Sequence, residues 1–243
     1  MALSRRSLLL AAGAAAAVLG VPRALRHFAP LPPAEPIPGL PGFRRIESGG
    51  ITLPPALAGM EGSTSAGIGA EIAAVRRDPA AALFGAPRPG TVPVAVFTDV
   101  NCPNCRQIEP LLLDWAENRQ DRASMAWHEL PLLGPTSESA ARAALAAGLQ
   151  GGYLPVHARL MQSRFRPSPA YLRDLAQAAG LDADRMAADM QGPEVEAALR
   201  HARALAHVFA IPGTPALAIG RTLAIGALGD AQMNRLLSRA ATA

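Results

Sequence analysis

The sequence predicts an α/β chain in which a β-strand runs directly into a helix bearing a Cys-x-x-Cys pair. A helical block then separates that unit from a closing strand, strand and helix. Three observations predict this: apolar alternation before Cys102, helical periodicity just after it, and a Pro-containing turn at 211–215 followed by two short β-rich runs. Half of the 243 residues are hydrophobic, enough for one sizeable core without cysteine staples.

The amino terminus reads as a targeting segment. "MALSRRSLLLAAGAAAAVLGVPRAL" has a short basic start and an apolar run from Leu8 to Val21. Those fourteen residues span about 21 Å as a helix, short of the roughly 30 Å hydrocarbon core of a bilayer. Residues 1–28 are therefore expected to be an export signal, or an uncleaved signal that anchors the chain to the inner membrane. "SRRSLLL" resembles a twin-arginine motif; an ordinary secretory signal is the alternative. Four of the 23 cations, Arg5, Arg6, Arg23 and Arg26, lie before residue 29, and the remainder balances the 19 acids. The body is formally neutral, so the high isoelectric point does not argue for nucleic acid as a partner.

Residues 29–85 are expected to be a linker and amino-terminal extension. Six prolines in 30–42 predict an extended spacer without secondary structure. Signals are weak from Phe43 to about Arg88: "FRRIESGGITL" is a candidate strand pair, and Ala66 to Val75 a candidate short helix.

The main domain is expected over 86–243. Val92, Val94 and Val96 alternate in a strand ending near Thr98. Pro103 suits the first position of a helix, along which Ile108, Leu111, Leu112 and Trp115 recur at helical spacing, with Pro110 predicting a kink. Cys102 then sits at the helix amino end, where unpaired N–H groups and the dipole favour thiolate over thiol. Cys105, three positions on, can close a disulfide with it and reopen it by exchange.

Other uses of the pair are weaker. A closed zinc site needs four ligands, and the chain has no second cysteine pair. No metal is expected, although two of His128, His157, His201 and His207 converging on the cysteines would make a Cys2His2 site. A purely structural disulfide closing so small a loop stabilises by only about 2 kcal/mol.

Downstream, "ASMAWHEL" (123–130) is a second strand, and "SESAARAALAAG" (137–148) a helix. Ser168 caps a helix that stops at Gly180, Asp182 opens another, and Pro193 opens a long one through Phe209. The helical insert is thus expected over about 136–210. "IPGTPALAIGRTLAIGAL" holds strands at 215–219 and 222–226, and 230–240 is a last helix.

This order, with "CPNC", Pro110 five residues beyond Cys105 and "GTP" at 213–215, resembles the DsbA-type thiol-disulfide oxidoreductases. The resemblance covers roughly residues 80–240. It implies a thioredoxin-like fold with a helical insertion between the second core strand and a cis-proline turn. It implies Cys102 as the exposed attacking cysteine and Cys105 as the buried resolving one, with Pro103 and Asn104 tuning them. Pro215 would be the cis-proline facing the pair, and Thr214 would offer backbone groups to an extended substrate peptide. The buried carboxylate that many relatives carry six residues before the first cysteine is missing, since Val96 stands there. Asp99, in "FTD", looks like the related DsbC-type isomerases and is a candidate helper; a surface turn aspartate is the alternative reading.

The sequence therefore predicts an exported, periplasmic protein thiol-disulfide oxidoreductase. Its redox group would be the Cys102–Cys105 disulfide, with no other cofactor. Partners would be substrate proteins carrying thiols or disulfides and a membrane or soluble protein that recycles the pair. With neutral Asn104 where strongly oxidising relatives have His, an intermediate oxidant that donates disulfides is expected. A reductase or isomerase is the alternative within the family, and a metal-binding or chaperone-like module the alternative outside it.

Overall fold

Strand β3 (Val92–Thr98) is buried on both faces and organises the molecule around it. In the computed structural model the described residues are 30–54, 67–163 and 167–242, so the targeting segment read at 1–28 lies outside them. Because side chains alternate along a strand, Val94 and Val96 enter one core layer while Ala95 and Phe97 enter the other.

β3 pairs in parallel with β4 (Ala123–Glu129) and antiparallel with β5 (Ala216–Ile219), which pairs antiparallel with β6 (Thr222–Ile225). Two further strands, β1 (Glu35–Pro36) and β2 (Arg44–Glu47), extend this sheet to the order β1-β2-β6-β5-β3-β4.

Here the structure corrects the sequence reading. The proline-rich 30–42 segment is not a plain spacer: Glu35 and Pro36 pair with β2, and Ile37, Leu40 and Phe43 are buried in the core. β2 pairs in parallel with β6, so residues placed in a separate extension continue the main sheet. The candidate strand pair in "FRRIESGGITL" holds one strand, paired with β1 on one side and with β6, far along the chain, on the other. The physical reason is apolar: β6 is almost fully buried, and its outer edge is satisfied only when another strand covers it.

Nine helices pack around the sheet among the described residues. On one face lie α3 (Pro103–Asn118) and α9 (Asp230–Ala241), with Ile108, Leu112, Trp115, Met233 and Leu236 in the shared core. On the other lie α1 (Gly69–Arg77), α2 (Pro79–Phe84) and α8 (Pro193–Val208), meeting Phe97, Leu205 and Phe209.

Four helices, α4 (Pro135–Gly148), α5 (Tyr153–Gln162), α6 (Pro169–Ala178) and α7 (Ala183–Asp189), stand with α8 between β4 and β5. Their core is an alanine-rich layer from α4, where six alanines are buried and allow close helix approach. Cys102 and Cys105 belong to this same cluster, so the pair sits where the insert meets the sheet.

Candidate active site

Cys102 is the N-cap of α3, with extended backbone (φ −74°, ψ 117°), and Pro103 follows at the first helical position. Pro103 has no N–H to leave unsatisfied there. The Cys105 backbone N–H, one of the orphan donors of the helix start, donates to Cys102 Sγ at 3.1 Å. The helix continues through Pro110 to Asn118. Both cysteines are free thiols in the structure.

The two sulfurs are held in opposite states. The Cys102 thiol is brought down to about 6, first by its hydrogen bond with the Cys105 thiol, against burial, and further by Thr214, Thr52 and the Cys105 N–H. Burial foremost pushes the Cys105 thiol far up, and the neighbouring Cys102 sulfur adds to it. One cysteine is poised as thiolate and the other kept as thiol.

The turn before β5 faces the pair. The Thr214–Pro215 peptide is cis, and Thr214 is fully buried with its carbonyl oxygen 3.4 Å from Cys102 Sγ.

Two expectations change. Cys102, read as exposed, has no exposed surface. The cover is the chain's own residues 50–53. Thr52 N–H donates to Thr214 O at 2.7 Å, Thr214 N–H donates to Thr52 O at 3.0 Å, and Thr52 Oγ1 lies 3.3 Å from Cys102 Sγ. Asn104 also points here, donating from Nδ2 to Thr52 Oγ1 at 2.9 Å.

Asp99, for which a surface turn was the alternative reading, is buried. Its carboxylate accepts from Asn101 N (2.8 Å), Leu132 N (2.7 Å), Leu133 N (3.0 Å) and Ser137 Oγ (2.7 Å). It ties the β3–α3 loop to the β4–α4 loop, and its own carbonyl accepts from Cys102 N at 3.0 Å. Asp99 therefore positions the start of α3, with its carboxylate fully engaged elsewhere.

Sequence reasoning missed a second buried group. Glu109, one turn along α3 from Cys105, Glu129 at the end of β4, and His157 on α5 are all buried. His157 Nδ1 lies 2.7 Å from Glu129 Oε1, and its Nε2 lies 3.3 Å from Glu109 Oε1. The Tyr153 hydroxyl donates to Glu129 Oε1 at 2.8 Å. Burial alone would push His157 down, but Glu129 and Glu109 overcome it and hold the ring at about 10, as imidazolium. Glu109 was legible from its i, i+4 relation to Cys105; its partners were not. His128 and His201 are engaged elsewhere, against the Leu83 and Ala82 carbonyl oxygens.

Among known proteins, the DSBA-like thioredoxin domain family matches residues 93–239. The chain belongs to this family. A thioredoxin-like oxidoreductase from Silicibacter pomeroyi DSS-3 is 31% identical over 68% of this chain and 98% of that one, with a TM-score of 0.59. A periplasmic thioredoxin-like protein from Salmonella enterica serovar Typhimurium is 29% identical over 67% of this chain and 95% of that one, with a TM-score of 0.54.

Two curated Na+/H+ antiporters, NhaA 3 of Salinispora tropica and NhaA 1 of Salinispora arenicola, are 36% and 37% identical over 105 residues. That stretch is 41% of this chain and spans only 15% of the length of those relatives. The match over 93–239 and the structural likeness give this chain a DSBA-like domain with a thioredoxin fold. Thr52 lies outside the matched residues, which is why the family pattern alone does not place it in the site.

Proposed function

We propose that this DSBA-like protein is exported to the periplasm and donates the Cys102–Cys105 disulfide to substrate proteins as they fold. The observation that carries the reading is the division of labour between the sulfurs: Cys102 held near 6 at the N-cap of α3, and Cys105 buried and pushed up.

In the oxidised protein, a substrate thiolate attacks Cys102 Sγ, the S–S bond breaks, and Cys105 leaves and takes a proton. A second substrate thiolate then attacks the substrate sulfur of the mixed disulfide. The leaving group is the Cys102 thiolate, and a low thiol pKa makes it leave readily. Two substrate thiols become one disulfide, and two electrons pass to the pair.

Pro103 and Asn104 shape the thiolate's surroundings, and Asp99 positions the helix start. The Thr214–Pro215 turn is the edge along which an extended substrate segment pairs. A separate membrane or soluble protein reoxidises the pair. The basic, apolar segment at 1–28 supports export, as does an oxidising compartment being where a disulfide donor is useful. Among the described residues no helix is long and apolar enough to cross a membrane.

The test is the reduction potential of the pair, equilibrated against glutathione buffers. A value near about −120 to −150 mV is expected for a donor; one near roughly −230 to −270 mV assigns the chain to reduction or isomerisation instead. Cys102→Ser is expected to abolish exchange, and an unchanged rate in that variant removes the mechanism.

A further inference from the structure

The edge that a substrate strand needs is already taken. Thr214 has one backbone N–H and one C=O available for strand pairing, and both are bonded to Thr52 in an antiparallel bridge. The covering residues follow β2 along the chain, and backbone hydrogen bonds lead from one to the other. Ser48 N–H donates to Ile225 O at 2.9 Å, Ala227 N–H donates to Gly50 O at 3.0 Å, and the Thr52–Thr214 pair follows.

Glycines on both sides of this contact make it fit. A Cβ at Gly213 would stand 2.3 Å from Thr52 O, one at Gly226 2.4 Å from Gly49 O, and one at Gly50 2.6 Å from Asn104 Oδ1. Real Cβ atoms do not approach so closely, so the crossing needs glycine at Gly213 and Gly226, where the obstructing atoms are backbone; at Gly50 the obstructing atom is the end of the Asn104 side chain. The Thr52 side chain completes the imitation of a bound peptide. Its hydroxyl lies against the Cys102 sulfur, where a substrate's own sulfur has to arrive. It carries no thiol, so it occupies the site without reacting. Next to it the Leu53 side chain is 56% exposed.

We propose that residues 50–53 are an internal stand-in for the substrate strand, and that an extended, thiol-bearing peptide reaches Cys102 by exchanging with them. This rests on the reading that the Thr214 edge receives substrate. It makes the site self-limiting: small or folded proteins that cannot replace two backbone hydrogen bonds at Thr214 are excluded, and a segment that can pair as a strand is admitted.

The test uses the reduced full chain and iodoacetamide, at about pH 8, where a Cys102 thiol held near 6 is ionised. Thr52→Pro removes the N–H that binds Thr214 O, and Thr52→Val is its control, lacking the hydroxyl but keeping the backbone pair. Losing one hydrogen bond of ordinary net worth predicts alkylation of Cys102 about fivefold faster in Thr52→Pro than in Thr52→Val. Gly213→Ala opens the cover by a different route, by driving a Cβ into the Thr52 carbonyl. It is expected to accelerate alkylation at least as much over the wild type.

Mass spectrometry assigns the modified cysteine, and circular dichroism establishes that each variant is folded. Folded Thr52→Pro and Gly213→Ala proteins alkylated at the rates of their controls overturn the proposal. Oxidation of an unfolded, cysteine-bearing protein, whose chain can pair as a strand, by the oxidised wild type separates the two readings. Wild-type exchange without acceleration in either variant sinks the stand-in strand alone. A wild type that does not exchange removes the proposed function and this inference with it.

Discussion

Thr52 Oγ1 receives an N–H from Asn104 on one side and faces Cys102 Sγ on the other. With a lone pair occupied by Asn104, its own O–H is free to turn toward a thiolate. A hydrogen bond to a charged group is worth about 1.5–3 kcal/mol. Thr52→Val is therefore expected to raise the Cys102 thiol by about one to two units, read from the pH dependence of thiolate absorbance. An unchanged titration would show that the hydroxyl contributes nothing to the sulfur. Asp99 illustrates how far a single residue's reading depends on its neighbours. Its place three residues before Cys102 was visible in the sequence, but the four donors that commit its carboxylate come partly from Leu132, Leu133 and Ser137.

α3 is held from both sides: by the sheet under Ile108, Leu112 and Trp115, and by α5 through the Glu109–His157–Glu129 group. A folded-state histidine pKa raised to about 10 contributes stability that is fully present below the unfolded value of about 6.5 and is lost as pH rises toward 10. His157→Gln leaves two carboxylates buried without their cation, a loss of about 3–5 kcal/mol. Urea denaturation at neutral pH should show that loss, and the deficit should shrink as the wild type is taken up toward pH 10. A neutral effect would mean that water already solvates the cluster.

β2 is the second structural dependence. Ile46 and Phe43 are buried, Phe43 packs edge-on against Phe209 at 5.1 Å, and Arg45 Nη2 donates to the Phe209 carbonyl at 2.7 Å. Each fully buried aliphatic or aromatic side chain contributes about 1.5–3 kcal/mol, and Ile37, Leu40, Phe43 and Ile46 all leave with this segment. A chain starting at residue 86 is therefore expected to be insoluble or to melt without cooperativity, by thermal scanning. A cooperative transition matching that of the full chain would show that the first two strands are dispensable.

Taken as a whole, the molecule stores its redox preference in the difference between its reduced and oxidised forms. The thiolate at Cys102 exists only in the reduced form, and its folded pKa, about 6, lies below that of a free cysteine, about 8.5. The resulting stability is fully present above the unfolded value and is lost as pH falls through 6. The melting temperature of the reduced protein minus that of the oxidised protein should accordingly fall between about pH 8.5 and pH 5. A difference that does not vary over that range would mean that the sulfur is not stabilised as a thiolate, and would remove the physical basis of a disulfide donor.

Much of the site was legible because it is local. The alternation of Val92, Val94 and Val96, Pro103 after Cys102, and the three-residue spacing to Cys105 determine a strand, a helix start and a capped sulfur, all through interactions within about one helical turn. Gly213, Thr214 and Pro215 could be matched to the pair by resemblance, and the structure places Thr214 beside Cys102. Only the tertiary structure could decide what covers the sulfur and where β2 pairs. Thr52 is fifty residues from Cys102, and Arg44 pairs with Thr222, so nothing in either segment's own periodicity names its partner. The same holds for His157, which meets Glu109 and Glu129 only because α5 packs across α3 and β4. Backbone propensity and capping act over neighbouring residues, whereas the closure of a sheet edge and the pairing of buried charges depend on which surfaces the whole chain brings together.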